Sequence, residues 1–168
     1  MVLLHLEATM AHEQLTLSFQ LCFRIYALER ELMAAYRPLL DELGLTYPQY
    51  ITMLYLWEHE KGTVGELCSA LSLDTGTMSP LLKRLEASGF ITRRRLPSDE
   101  RTVEVSLTTK GKELEHQALS VPETIAGCLL TSDKDEQSRR YHELKTILDQ
   151  ALDQLRESRK MRQEAKVN

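Results

Sequence analysis

Several things are scarce in this 168-residue sequence. Cysteine occurs three times, as Cys22, Cys68 and Cys128, widely spaced and with no CxxC. An odd, scattered set of thiols excludes a disulfide scaffold and, with no histidine at ligand spacing, a zinc site, so no metal and no cofactor is expected. The five histidines, His5, His12, His59, His116 and His142, form no nucleophile–base pattern. No apolar run is long enough to span a membrane. The opening Met1-Val2-Leu3-Leu4-His5-Leu6 is apolar but short and lacks the cationic flank of a signal peptide, so it reads as a frayed end of a cytoplasmic chain with no membrane partner. Positive charge is in deficit as well: 21 Lys and Arg against 25 Asp and Glu leave a net charge of −4, which as a total disfavours polyanions. Glycine (7) and proline (5) are few enough to be read singly as punctuation.

What is present is an ordinary soluble composition, 42% hydrophobic and 27% charged, in a length that suits one domain with additional helices. Residues 13 to 43 have helical periodicity, with Gly44 as stop and Pro38 expected to bend or divide the helix. Two apolar stripes run along it. Leu21, Ile25, Leu28, Leu32 and Leu39 form one; Leu15, Phe19, Cys22, Tyr26, Met33 and Leu40 form the other, roughly 100° round. A lone domain needs one stripe, so the second suggests a partner chain, or burial between two parts of the same chain. Thr46 caps the next helix, with Pro48 in its first turn; the helix continues through Ile51, Leu54, Tyr55 and the only tryptophan, Trp57, which is assigned to the core.

The most informative stretch is 74–101, with the run just before it. Thr63 and Glu66 have the spacing of a reciprocal capping box, and Val64, Leu67, Cys68 and Leu71 form the inner face of the short helix that follows, where Cys68 reads as small apolar filling. Asp74 then caps a second helix. At 100° per residue Met78, Leu81, Leu82 and Leu85 fall on one side, and Gly76, Pro80, Lys83, Arg84 and Ala87 on the other, with Thr77 at the edge. Pro80 is expected to kink this helix or delay its start. Gly89 ends it, and two strand-like runs around 90–95 and 102–107 flank a turn-rich loop, giving a hairpin with a basic tip. Between Lys83 and Arg101 six cations face three acids, so charge is locally reversed. A helix presenting hydroxyls and cations suits a DNA major groove, and a basic hairpin beside it suits the minor groove.

After the hairpin Thr108 opens a helix with Leu114, Ala118, Val121, Ile125 and Cys128 on one face and a bend expected at Pro122. Ser132 or Asp133 is read as the start of a last helix, whose narrow stripe of Tyr141, Leu144, Leu148, Ala151, Leu152 and Leu155 needs something to pack on; past Arg156 fraying is expected.

The run Leu85-Glu86-Ala87-Ser88-Gly89-Phe90-Ile91 followed by Asp99-Glu100-Arg101-Thr102-Val103-Glu104-Val105-Ser106-Leu107-Thr108 resembles the signature of the MarR family of winged helix-turn-helix regulators. The resemblance implies a mainly α fold with a small β wing, a winged helix-turn-helix dimerised through N- and C-terminal helices. It divides the chain into an N-terminal dimerisation region (1–44), a DNA-binding domain (45–108) and C-terminal dimerisation helices (109–168). On this reading a homodimer meets a double-stranded DNA operator with two half-sites, roughly 34–36 Å apart. Thr75, Thr77, Ser79, Lys83 and Arg84 are the major-groove candidates; Arg101, with Arg94 and Arg95, meets minor groove and phosphates; Asp99 orients Arg101.

Leu21-Cys22-Phe23, Tyr36-Arg37-Pro38-Leu39-Leu40, Leu45-Thr46-Tyr47-Pro48-Gln49-Tyr50 and the run from Leu73 to Leu85 are similar to one branch of that family, the organic-hydroperoxide-resistance regulators (OhrR). That resemblance implies that Cys22 is the redox sensor, that Tyr36 and Tyr47 hydrogen-bond its sulfur, that an organic hydroperoxide is the inducer, and that Cys128 is the resolving thiol of the other subunit. Cys22 and Tyr36 are fourteen residues apart, roughly 21 Å along one straight helix, so Tyr36 is expected to reach the sulfur from the partner. Phenolic donors aimed at a sulfur favour its reactive thiolate, and the apolar Phe19, Phe23 and Tyr26 suit an organic peroxide. Three other readings stay open at this point: a repressor of the same fold released by a small phenolic ligand, a thiol peroxidase using the same nucleophile, and a dimeric interaction protein without DNA affinity.

Overall fold

The computed structural model describes residues 14–97, 99–129 and 134–165. They form two compact units that divide between Val121 and Pro122; the expected frayed end at residues 1–6 lies outside the described residues.

Helix α1 (Leu21–Glu42) starts later than the periodicity predicts. Ahead of it the chain turns: the Thr16 and Ser18 hydroxyls bond each other at 3.0 Å, and the Phe19 and Gln20 N–H groups donate to Thr16 and Leu17 carbonyls. Hydroxyl side chains compete in this way with helical bonding. Pro38 lies inside α1 without dividing it. Gly44, at φ +67°, ends it: the Gly44 N–H donates to the Asp41 carbonyl and the Leu45 N–H to the Leu40 carbonyl.

Helix α2 (Tyr47–His59) begins where predicted, with the Gln49 side-chain oxygen accepting the Thr46 N–H at 2.8 Å and Pro48 in the first turn. Its buried face is Tyr50, Met53 and Leu56 with Thr52. Leu54 is exposed and Trp57, assigned to the core, is half-buried; its indole N–H donates to the Gly111 carbonyl at 2.8 Å. Strand β1 (Lys61–Thr63) was not legible in the sequence. Thr63 caps α3 (Val64–Leu71) as expected: Glu66 accepts the Thr63 N–H at 2.7 Å, and the Thr63 hydroxyl accepts the Glu66 N–H at 3.2 Å.

Helix α4 (Thr75–Ala87) starts directly after Asp74 and runs through Pro80, so no later start is needed. Met78, Leu81, Leu82 and Leu85 are all buried, as the periodicity requires. Gly89, at φ +77°, closes it, and the Phe90 N–H donates back to the Leu85 carbonyl. Strands β2 (Ile91–Leu96) and β3 (Asp99–Leu107) form the antiparallel wing, from Ile91 opposite Leu107 to Arg95 opposite Val103, with a register shift between Arg95 and Leu96. β1 pairs with the other edge of β3, giving the order β1-β3-β2.

Thr108 caps α5 (Thr109–Ala118), accepting the Gly111 N–H and donating to the Gly89 carbonyl. At Gly111 an added Cβ would run into the Phe90 carbonyl oxygen, so only glycine lets α5 seat against the wing base. The chain breaks at Leu119, not at Pro122, which falls in the first turn of α6 (Ser120–Leu129), where its missing N–H costs nothing. Leu114, Ala118, Val121 and Ile125 are buried, but Cys128 is exposed and does not continue that face.

In the second unit α7 (Lys134–Glu164) carries ion pairs one turn apart, Arg139 with Glu136 and Glu143, and Lys145 with Asp149. The start expected at Ser132 or Asp133 lies outside the described residues. Beyond Arg156 the helix continues to Glu164 instead of fraying, since Arg, Lys, Met, Gln and Glu are all good helix formers. Among the described residues no helix is long and apolar enough to cross a membrane.

Candidate nucleic-acid interface and thiol site

Thr75, Thr77, Ser79, Lys83 and Arg84 are all exposed on the outer face of α4. They are not equally available. The Asp74 carboxylate accepts both the Thr77 N–H and the Thr77 hydroxyl at 2.9 Å, so that hydroxyl proton is committed to the cap. The Thr77 backbone bond, then the hydroxyl bond, holds the Asp74 carboxyl below the usual carboxylate range. Thr75 and Ser79 line, with Arg93, Arg101, Thr102 and Val103, a groove of about 380 Å³ between α4 and the wing. Thr75 and Ser79 of the helix and Arg101 of the wing therefore line one groove, and the other candidates lie outside it.

The basic run of the wing does not act as one surface. Arg93 turns inward: its N–H, Nε and Nη2 donate to the Glu86 carboxylate at 3.1, 3.0 and 2.6 Å, tying the strand to the end of α4. Those bonds depress the Glu86 carboxyl pKa. Arg94 and Arg95 are exposed, and as neighbours on a strand they leave its opposite faces. Asp99 contacts Arg101 through the main chain. It accepts the Thr102 hydroxyl at 2.6 Å and the Arg101 backbone N–H at 3.0 Å, so it positions Arg101 by shaping the main chain. The hydroxyl first, then the N–H, lowers its pKa.

Cys22 is exposed in the first turn of α1, and Tyr36 stands on the same unbroken helix, roughly 21 Å further along at 1.5 Å per residue. The tyrosines meet each other instead. Tyr36 and Tyr47 ring centroids are 4.9 Å apart, and Tyr50 lies 5.9 Å and 6.5 Å from them. Tyr50 was missed by the sequence reading; its signal was the three-residue spacing from Tyr47, which places both on one helix face. Burial pushes the Tyr47 and Tyr50 phenols up, so both keep their O–H protons at neutral pH. Beside them Met33, Tyr36, Arg37, Leu40, Asp41, Leu45, Thr46 and Tyr47 line a cleft of about 230 Å³. Cys68 is half-buried, and burial, then the Asp74 charge, raises its thiol pKa, which suits inert filling. Cys128 is exposed in the last turn of α6. No cluster of three metal-ligating residues occurs among the described residues.

The organic hydroperoxide resistance transcriptional regulator of Bacillus subtilis (strain 168) is 48% identical over 123 residues, which are 73% of this chain and 84% of the relative. A crystal structure of MarR superposes with a TM-score of 0.67 at 26% identity, over 76% of this chain and 94% of that one. The chain belongs to the MarR family of winged helix-turn-helix transcriptional regulators. The family model for the transcriptional regulators SarA and Rot also matches residues 34–118. Among MarR-family structures, that of reduced AbfR bound to DNA has 34% identity and a TM-score of 0.64, covering 84% of this chain and 99% of that one. AbfR, from Staphylococcus epidermidis, has also been solved in a disulfide-formed state. MarR-family proteins are regulators, not enzymes, and the thiol-peroxidase reading falls with that assignment.

Proposed function

We propose that this MarR-family protein is a homodimeric DNA-binding repressor that organic hydroperoxides release from its operator by oxidising Cys22. The observation that carries the reading is the placement of the sensor parts: Tyr36 and Tyr47 converge at one end of α1 while Cys22 stands at the other. A single chain cannot close that gap. An antiparallel partner brings its own Cys22 to the tyrosine pair; the exposed apolar residues Leu21, Ile25 and Leu28 give α1 a face for a dimer to cover, and Leu144, Leu148 and Leu152 give α7 its own. Residues 1–44 and 109–168 then serve dimerisation and 45–108 binds DNA. Lys83, Arg84, Arg94, Arg95 and Arg101 supply phosphate-neutralising charge, and Thr75, Thr77 and Ser79 sit where base edges are read.

The chemistry balances in two steps. The Cys22 thiolate attacks the outer peroxide oxygen, the O–O bond breaks, and the alkoxide leaves as an alcohol after taking a proton; the sulfur is now a sulfenic acid. The Cys128 thiol of the partner then displaces hydroxide, giving a disulfide and water. Closing a disulfide requires Cα atoms within about 7 Å, so bond formation draws helices together and re-spaces the two α4 helices away from the half-site separation. The disulfide-formed state of the related AbfR supports such a step.

The test is non-reducing electrophoresis after organic hydroperoxide. The parent should yield a covalent dimer, and Cys22→Ser and Cys128→Ser should not. A dimer band that persists in Cys22→Ser removes the proposed sensor. The tyrosine-lined cleft favours one other reading, release by a small phenolic ligand; under that reading Cys22→Ser remains inducible.

A further inference from the structure

Four methionines lie among the described residues, in three settings. Met53 and Met78 are fully buried. Met161 is 66% exposed near the end of α7. Met33 differs from all three: it is half-buried on α1, one turn before Tyr36, and its side chain lines the 230 Å³ cleft with Tyr36, Leu40, Leu45 and Tyr47. The cleft combines an apolar wall with phenolic and threonine hydroxyls. It is smaller than the roughly 300–1,000 Å³ of ordinary ligand pockets. That is room for a compact alkyl or aryl group carrying a peroxide, in a cleft that the thioether residue Met33 lines.

We propose that Met33 is a second oxidation site, converted to methionine sulfoxide by an organic hydroperoxide held in this cleft, and that the conversion raises the peroxide dose the regulator then needs. The oxidant is the one named in the hydroperoxide reading, and the inference rests on that reading. The Met33 sulfur lone pair attacks the outer peroxide oxygen and the O–O bond breaks. The proton on that oxygen passes to the departing alkoxide through a phenolic hydroxyl, leaving sulfoxide and alcohol. Sulfur is oxidised by two electrons and the peroxide reduced by two. A thioether is a weaker nucleophile than a thiolate, so this event follows oxidation of Cys22 and registers prolonged exposure. Its product puts a polar S–O group on the apolar wall, weakening the hold on the next peroxide's hydrocarbon part. Thiol reductants that restore Cys22 leave a sulfoxide in place, so the mark outlasts the disulfide.

The test uses the full-length parent protein. Samples are treated with cumene hydroperoxide or with hydrogen peroxide, and peptide mass spectrometry follows oxygen addition at Met33 and Met161. Hydrogen peroxide should favour the more exposed Met161. Cumene hydroperoxide should raise the Met33-to-Met161 ratio about tenfold over that baseline, the factor expected from burying a small hydrocarbon group. An unchanged ratio overturns the proposal. Sulfenic acid trapping at Cys22 in the same samples separates the two ideas: Cys22 modified with no preference at Met33 defeats only the second site, and Met33 preferred with Cys22 unmodified defeats only the sensor. For the reset, M33Q should need severalfold more cumene hydroperoxide than M33L to release the operator, and equal doses overturn that part.

Discussion

Tyr36 and Tyr47 hold their ring centroids 4.9 Å apart although one belongs to α1 and the other opens α2. The sharp Gly44 turn and the Thr46–Gln49 cap bring α2 back against the end of α1, and the two phenols meet as a consequence. Under the proposed sensor, both O–H groups donate to a sulfur arriving from the partner. Tyr36→Phe, which keeps the ring and removes the donor, should slow sulfenic acid formation at Cys22 about tenfold, the factor for losing one hydrogen bond to a charged group. Stopped-flow trapping measures it, and a parent-like rate would separate Tyr36 from the sensor.

Lys83 and Arg84 are exposed on the outer face of α4. Lys83→Ala should weaken binding to any duplex by a similar factor and reduce the salt slope, the steepness of log affinity against log salt, by about one. Fluorescence anisotropy across a salt series reads both quantities. Arg93→Ala should behave differently, because its guanidinium is already spent on Glu86 at 2.6 Å: the salt slope should stay at the parent value while thermal stability falls.

Asp74, Glu66 and Asp99 all sit below their ordinary carboxyl range because backbone N–H and hydroxyl groups donate to them. A carboxyl with a depressed folded pKa binds fewer protons folded than unfolded, so its contribution is complete above the ordinary value of roughly 4 and is lost as pH falls through the folded one. The melting temperature should therefore be level near neutrality and fall in acid. Asp74→Asn, which keeps an acceptor for the Thr77 N–H, should lower the neutral-pH Tm by no more than a few degrees and make the acid limb shallower. Calorimetry between pH 3 and 7 decides it.

Gly111→Ala should cost about 3 kcal/mol, at the upper end for overpacking, because the added methyl meets the fixed Phe90 carbonyl and not a movable side chain. Urea denaturation measures this. A near-neutral result would mean that α5 does not seat against the wing base as closely as described.

What the sequence displayed well was local. The buried face of α4, the Thr63, Asp74 and Thr108 caps and the Gly44 and Gly89 stops depend on residues within two helical turns of each other, and each was readable. What it hid was non-local. Three residues cannot announce β1, whose pairing partner Val105 lies far along the chain from Gly62. The Arg93–Glu86 tie crosses from strand to helix and looked like surface charge. Trp57 is half-buried and not in the core because nearly every turn of α2 offers an apolar residue, and tertiary packing chose Tyr50, Met53 and Leu56. In the candidate site, spacing alone ruled out an intrachain contact between Cys22 and Tyr36, and the three-residue spacing put Tyr47 and Tyr50 on one face, but the meeting of Tyr36 with that pair across the turn from α1 to α2 had no local signature.

The most direct measurement is operator binding before and after a stoichiometric dose of organic hydroperoxide, with the parent and Cys22→Ser compared side by side. The account predicts that both bind when reduced, that the parent lets go on oxidation and rebinds after thiol reductant, and that Cys22→Ser stays bound throughout. Release of Cys22→Ser at the same dose would contradict it.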